Sequence, residues 1–128
     1  MRIFETNVCR VSDVIQAFLP LLRKYLNISS AFGSISATET SNPDNVKPPY
    51  SVSKAALNML TKMFANHLAD EKFIVYASRP GWVKTEMGGD RAPVEPEDSI
   101  AGMLKVLDSA ASKDDGEYYN YTREKITW

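Results

Sequence analysis

The segment from Tyr50 to Lys54 (Tyr-Ser-Val-Ser-Lys) places a phenol and an ammonium group four positions apart. In a helix, side chains at this spacing lie on the same face. A phenol ionises at about pH 10 on its own, and a neighbouring cation favours the phenolate. At a separation of about 5 Å and a dielectric constant of about 20, the attraction is roughly 3 kcal/mol, or about two pKa units. The pair would therefore suit proton transfer in carbonyl and alcohol chemistry.

This spacing alone is weak evidence, because it is expected by chance in roughly one of every two or three chains of this composition. A second pair, Tyr121 and Lys125, occurs near the end of the sequence without apolar periodicity, so we predict a surface turn there. The surroundings of Tyr50 are more informative. A Ser-Ser-Ala-Phe-Gly segment at 29–33 precedes it, and Arg-Pro-Gly-Trp-Val-Lys-Thr at 79–85 follows the next apolar segment.

Together these motifs resemble the short-chain dehydrogenase/reductase family, and the ending at 118–128 resembles its carbonyl-reductase-like subgroup. The resemblance extends from about Ile3 to Trp128 and matches the second half of a typical member. The sequence has no counterpart of the glycine-rich turn at which members bind the dinucleotide pyrophosphate. The Asn-Asn-Ala-Gly stretch of the fourth strand is also missing. We therefore expect residues 1–128 to form one incomplete NAD(P)-binding, Rossmann-like domain that lacks the N-terminal half.

The resemblance implies a role for each matching residue. Tyr50 matches the acid/base that protonates the carbonyl oxygen while a nicotinamide delivers hydride to the carbon. Lys54 matches the residue that lowers the tyrosine pKa and hydrogen-bonds the nicotinamide ribose. Ser30 matches the hydroxyl that stabilises the reacting oxygen, and Asn7 matches a helix asparagine that holds a water for proton relay. The residues that match the turn holding the nicotinamide carboxamide and a nearby phosphate are Pro80, Gly81, Val83 and Thr85.

Each of these residues also has a purely structural interpretation. Serine is a common turn residue, so Ser30 in isolation has about an even chance of being a turn cap. Asn7 lies near a predicted helix start, where an N-cap role is common. Thr85 would likewise cap a turn, and Pro80 with Gly81 would mark a loop. The joint order of the motifs favours the functional interpretation.

Two lengths depart from the family's pattern. Between Asn7 and Ser30 the chain is several residues shorter than usual, and this shorter connection affects where Asn7 and Ser30 lie in the fold. Between Ser30 and Tyr50 it is several residues longer. Insertions at the second place occur in the carbonyl-reductase-like subgroup and fit a loop on the substrate side.

Composition is that of one small domain of 128 residues, with 44% hydrophobic and 24% charged residues and a net charge of -1. This balance gives no basic surface for nucleic acid. Cys9 is the one cysteine, so an intramolecular disulfide is excluded, and with one histidine it cannot form a standard zinc site. No apolar segment approaches the roughly 20 residues of a membrane span, and residues 1–6 lack a signal-peptide core. We expect a cytoplasmic protein without a metal.

Hydrophobic periodicity predicts alternating helices and strands. A helix over 6–25, which Pro20 bends or ends, is followed by a short strand at 26–29 and a polar loop at 34–49. Further strands are predicted at 73–77 and 116–121. Without hairpin turns, this order predicts about three parallel strands with flanking helices, a partial Rossmann-type doubly wound α/β sheet.

Two longer helices are predicted between these strands. The first covers 50–69, and the second begins at Pro96. The expected apolar stripe of the first is Val52, Ala56, Leu60, Met63, Phe64 and Leu68. The residues of the second that are expected to face the core are Ile100, Met103, Leu104 and Leu107.

Two functional hypotheses of different classes stay open. The first is an oxidoreductase that uses NAD or NADP on a small-molecule carbonyl or secondary alcohol, with weak or absent cofactor binding because the adenine and pyrophosphate contacts are missing. The second is a noncatalytic remnant that acts by association. In the family the helices matching 6–25 and 50–69 form the dimer interface, so a homo-oligomer is expected. Cofactor binding discriminates the two hypotheses.

Overall fold

The structure is a computed structural model that describes residues 2–128. Its centre is a three-stranded parallel sheet in the order β1-β2-β3. The strands are β1 (Lys24–Ile28), β2 (Ile74–Arg79) and β3 (Tyr118–Asn120). Because the strands are parallel, their carboxyl ends share one edge of the sheet. The prediction of a partial Rossmann-like α/β sheet is confirmed.

The two faces of the sheet are covered by different helices. Val75 packs with residues of the helix at 48–68. Tyr76, the next residue on β2, packs with Val106 and Ala110 of the helical region beginning at Pro96. Successive side chains on a strand point to opposite faces, so the sheet is doubly wound as predicted.

The first helical region is composite. It consists of α1 (Arg2–Phe4), a π-helical turn (Glu5–Cys9), α2 (Arg10–Phe18) and a 3-10 turn (Leu19–Leu21). The predicted helix over 6–25 is therefore too long at its C-terminal end. Pro20 lacks the amide hydrogen that would continue the α-helical bonding, and Leu22 has extended dihedral angles. β1 then begins at Lys24, two residues earlier than predicted.

The long helix α4 (Pro48–Leu68) begins with two prolines, which suit the first turn of a helix. Its predicted apolar stripe is partly wrong, since Val52 and Met63 are 63% and 59% exposed. The face toward the sheet instead carries buried polar side chains, among them Asn58 and Thr61. These occupy core positions because each has a hydrogen-bond partner inside the protein.

The helix α5 (Pro96–Ser109) is rotated relative to the prediction. Ile100 and Leu104, expected in the core, are each 54% exposed, whereas Val106 is buried. A Cβ atom at Gly102 would lie 2.5 Å from the carbonyl oxygen of Tyr121. This close approach sets the rotation of α5 about its axis.

The remaining differences concern element boundaries. The loop predicted at 34–49 contains the short helix α3 (Thr38–Ser41), and β2 and β3 differ from the predicted 73–77 and 116–121 at their ends. Residues 121–123 form the predicted turn. Among residues 2–128, no helix has the length and apolar character needed to cross a membrane. In the same range, no three His, Cys, Asp or Glu side chains are grouped as metal ligands.

Candidate functional site

Tyr50 and Lys54 lie on one face of the first turns of α4. The Lys54 Nζ atom is 5.7 Å from the centroid of the Tyr50 ring, within the range of a cation–π attraction. Tyr50 is half-buried and Lys54 is 9% exposed. The structure therefore brings the predicted pair together in a partly desolvated position.

The amine of Lys54 is anchored to the sheet. It donates a hydrogen bond of 2.7 Å to the carbonyl oxygen of Ile28, the last residue of β1. Burial lowers the pKa of Lys54 below its ordinary value of 10.5. An ammonium group has three donors, so in the part of the chain that the structure describes this bond leaves two N–H groups for a ligand.

Ser30 lies just beyond β1 and caps the 3-10 turn Ala31–Gly33. Its Oγ atom accepts a hydrogen bond of 3.3 Å from the amide of Phe32, so the turn-cap interpretation is confirmed. That bond does not use the hydroxyl hydrogen, which can still be donated to a substrate oxygen. The ring of Phe32 meets the ring of Tyr50 edge-on, with centroids 6.4 Å apart. This contact connects the serine turn (residues 30–33) to the helix of Tyr50.

A side chain outside the predicted site holds this turn against α4. Asn58 donates to the carbonyl oxygen of Gly33 at 3.1 Å and accepts a hydrogen bond from the Ser29 hydroxyl. Asn58 is buried and lies one helical turn after Lys54. The signal in the sequence is its place on the buried face of a helix, where a polar side chain needs partners inside the protein.

Asn7 lies in the π-helical turn and reaches α4. Its Nδ2 atom donates to the Ser53 Oγ atom at 3.0 Å, and Ser53 in turn donates to the carbonyl oxygen of Tyr50 at 2.7 Å. The N-cap interpretation of Asn7 is wrong, because the helical region already begins at Arg2. π-helical turns are frequent at functional sites. Asn7 is thus connected to the helical turn that carries Tyr50.

Pro80 and Gly81 follow β2 at the same edge of the sheet as Ser30. Ile28 pairs with Ser78 in the register of β1 and β2, so Ser30 and Pro80 each follow this pair by two residues. Gly81 has a φ of 88°, a conformation that glycine adopts readily. In open α/β sheets, ligands bind in the crevice beyond the carboxyl ends of the strands.

Val83 and Thr85 lie further along this loop. Val83 forms an isolated bridge with Val94. Thr85 is exposed, and its Oγ1 atom accepts a hydrogen bond of 3.1 Å from the amide of Gly88, which confirms the turn-cap interpretation. Among residues 2–128, the side-chain hydrogen bonds of Thr85 stay within its own turn and do not reach Tyr50 or Lys54.

The family model described as short chain dehydrogenase matches residues 1–95, which is more than half of the chain. The chain belongs to the short-chain dehydrogenase family. The family predicted from the sequence is therefore confirmed.

A curated relative and two solved structures are similar to this chain. The C-signal of Myxococcus xanthus is 34% identical over 132 residues, which cover 99% of this chain and 77% of that protein. The carbonyl reductase Sniffer of D. melanogaster superposes with a TM-score of 0.90 at 29% identity. An NADPH-bound carbonyl reductase from chicken fatty liver gives a TM-score of 0.86 at 34% identity. Each comparison with a reductase covers 98% of this chain and 55% of the reductase, so the chain spans about half of their length.

Proposed function

We propose that this chain is an NAD(P)-dependent oxidoreductase that carries out hydride transfer between a nicotinamide and a small-molecule carbonyl or secondary alcohol. The observation that carries the proposal is the position of the Lys54 amine, between the Tyr50 ring and the carbonyl oxygen of Ile28. This position joins a phenol, a buried cation and the Ser30 turn at one edge of the sheet. Family membership and the NADPH-bound chicken reductase support it. A cytoplasmic location belongs to the same proposal.

The residues present fit the nicotinamide end of such a cofactor. Lys54 has two N–H groups left for the hydroxyls of a ribose. The turn at Pro80 and Gly81 lies where open α/β sheets bind dinucleotides, and Val83 and Thr85 continue that loop. When bound, the cofactor supplies or accepts the hydride.

The chain's own residues handle the proton and the oxygen. In carbonyl reduction, the Tyr50 hydroxyl donates its proton to the carbonyl oxygen, and the Ser30 hydroxyl donates a hydrogen bond to that oxygen as negative charge develops. The Lys54 ammonium stabilises the resulting phenolate by charge attraction. In alcohol oxidation the same phenolate accepts the proton. Asn7 holds the turn of Tyr50 through Ser53 and, by family likeness, a water that relays the proton.

Replacement of Tyr50 by Phe tests this function. The ring and its contact with Phe32 stay, and only the proton donor is lost. We expect kcat for NADPH-dependent reduction of a panel of aldehydes and ketones to fall by about 10²- to 10⁴-fold. Tyr121→Phe is the matched control, because it removes the phenol of the other Tyr–Lys pair of the same spacing. Retention of most of kcat in Tyr50→Phe would exclude the assigned role.

A second candidate function is noncatalytic association. The relative from Myxococcus xanthus bears the name C-signal, and this chain covers 77% of it rather than about half. The outer face of α4 exposes Val52, Met59 and Met63 to solvent, which is an apolar surface suited to a second copy of the chain. A homo-oligomer through this helix and the first helical region (2–21) is proposed for both functions. A chain that associates but shows no binding to NAD(P)H would favour the noncatalytic one.

A further inference from the structure

The segment at 118–128 is in direct contact with the serine turn. The side chain of Tyr118, on β3, is fully buried. Its hydroxyl donates a hydrogen bond of 2.7 Å to the carbonyl oxygen of Ser30. The same carbonyl accepts a hydrogen bond of 2.8 Å from the amide of Gly33. Two donors therefore fix the peptide group that follows the Ser30 Cα atom.

The last two residues, Thr127 and Trp128, contact the chain just beyond the serine turn. The Trp128 ring is stacked on the Tyr118 ring, with centroids 5.2 Å apart and planes at 24°. The Ser34 hydroxyl donates to the carbonyl oxygen of Thr127 at 2.6 Å. The amide of Ser36 donates to the carbonyl oxygen of Trp128 at 3.0 Å. The segment from Ser30 to Ser36 is thus held along one side by residues 118–128.

The same segment also contacts the turn after β2. A Cβ atom at Gly81 would lie 2.9 Å from Cε1 of Tyr121, and one at Gly102 would lie 2.8 Å from its Cδ2 atom. The Tyr121 ring is therefore packed between the Pro80–Gly81 turn and α5. One stretch of eleven residues, 118–128, therefore touches both the serine turn and the turn at Pro80 and Gly81.

We propose that Tyr118 is a positioning residue for Ser30, and that residues 118–128 form a brace that fixes the serine turn relative to the turn at Pro80 and Gly81. The inference rests on the proposed function, because it assigns the Ser30 hydroxyl to the reacting oxygen. With its peptide group held by two donors, Ser30 keeps its extended backbone (φ -149°, ψ 150°), which limits the directions open to its Oγ atom.

The environment of Tyr118 suits it to be a permanent donor. Burial, the largest influence, raises the pKa of its hydroxyl above the ordinary value of 10. The nearby Tyr50 acts in the same direction, whereas Ser29 and Arg79 act against it. The Tyr118 hydroxyl consequently stays protonated over the neutral and mildly alkaline range.

Amide hydrogen exchange in Tyr118→Phe tests the positioning. Loss of one hydrogen bond of about 1 kcal/mol corresponds to roughly fivefold faster opening. We expect that acceleration at the amides of Gly33 and Ser34, with α4 amides unchanged. The matched control is Tyr119→Phe, whose lost hydroxyl donates to Asp114 and not to the serine turn. Unchanged exchange at Gly33, or equal acceleration throughout α4, would overturn the proposal.

A kinetic measurement separates this inference from the proposed function. In Tyr118→Phe we expect kcat to fall by about fivefold while KM for NADPH stays constant, because Ser30 and not the cofactor loses its placement. Faster exchange at Gly33 together with an unaltered kcat would show that the brace has no part in catalysis. If Tyr50→Phe retained activity, the proposed function would fail while the exchange result still decided the positioning.

Discussion

Gly33 and Lys54 are in backbone contact. A Cβ atom at Gly33 would lie 2.7 Å from the carbonyl carbon of Lys54 and 2.9 Å from its Cβ atom. Both separations are shorter than real Cβ contacts allow. The serine turn therefore lies directly against the helical turn that carries the amine, and the absence of a side chain at Gly33 sets this distance.

Gly33→Ala should separate the serine turn from α4. The added methyl group would meet backbone atoms, which cannot move aside as a flexible side chain can, so we expect a loss of about 1–3 kcal/mol in stability and a loss of reductase activity. Gly89→Ala is the control. Gly89 has open space around its Cβ position and a φ of 78°, so it should lose roughly 1 kcal/mol and keep activity. Chemical denaturation and kcat compare the two, and equal activity in both variants would contradict the expectation.

Lys54→Met should change how stability depends on pH. Burial lowers the pKa of Lys54 in the folded chain below the ordinary 10.5. Between the pKa of Lys54 in the folded chain and 10.5, the unfolded chain binds more protons than the folded chain does. The contribution of Lys54 to the free energy of unfolding therefore rises with pH in this range. The unfolding free energy of the wild type minus that of Lys54→Met should therefore increase as the pH rises toward 10.5.

Urea denaturation of both proteins at a series of pH values from about 7 upward measures this difference. Groups that titrate in both proteins cancel in the subtraction. Lys24→Met is a control, since it removes an amine that is bonded to backbone carbonyls elsewhere. A difference that is flat or falls with pH for Lys54→Met would show that the folded chain does not disfavour the ammonium.

The Asn7 and Ser53 side chains should be energetically coupled. Their hydrogen bond of 3.0 Å joins the π-helical turn to α4. We expect Asn7→Ala and Ser53→Ala each to lose about 0.5–1.5 kcal/mol, and the double variant to lose less than their sum by at least about 0.5 kcal/mol. A double-mutant cycle from urea denaturation gives the coupling energy. Strict additivity would mean that the bond contributes nothing to stability.

Cofactor binding by the 128-residue chain should be weak. The proposed contacts are those of Lys54 and of the turn at Pro80 and Gly81, at the nicotinamide end, whereas a glycine-rich turn would hold the pyrophosphate. We expect the Kd for NADPH to exceed the micromolar range, and Lys54→Met to weaken binding further. NADPH fluorescence titration measures both, and micromolar binding by the unaltered chain would contradict this prediction.

The chain should self-associate through α4. Val52, Met59 and Met63 are exposed and lie on one face at intervals of seven and four residues. Met63→Glu should shift the sedimentation profile at high micromolar concentration toward the monomer. Ile100→Glu, on the exposed side of α5, is the control and should leave the profile unchanged. A stable monomer of the unaltered chain under these conditions would disprove the association.

The elements of the fold were predictable because apolar periodicity marks helices and strands. The buried faces of α4 and α5 were less predictable than the elements themselves. Asn58 and Thr61 are buried through hydrogen bonds to the serine turn and to Asn27, and the rotation of α5 depends on Gly102 meeting a distant turn. Periodicity counts such residues as surface positions, so it placed part of each buried face wrongly, although Leu68 and Leu107 do pack in the core as predicted.

The candidate site was predictable where neighbours in the sequence define it. Tyr50 and Lys54 are related by helix geometry alone, and their spacing already predicted the contact. The contribution of Tyr118 was not predictable, because it bonds to a residue 88 positions away in the sequence. Asn58 likewise reaches Gly33 across 25 positions. Pairings of this kind depend on the register of the assembled sheet, which local patterns do not contain.

The open side of β1 has a consequence for protein engineering. In the order β1-β2-β3, β1 pairs with β2 on one side, and no other strand among residues 2–128 pairs with it. The contacts described for Ser30, Tyr50 and Lys54 all come from within those residues. A separately expressed polypeptide that contributes a parallel strand along β1 would therefore join the sheet without replacing any of them, which makes the chain a natural starting point for split-protein reassembly.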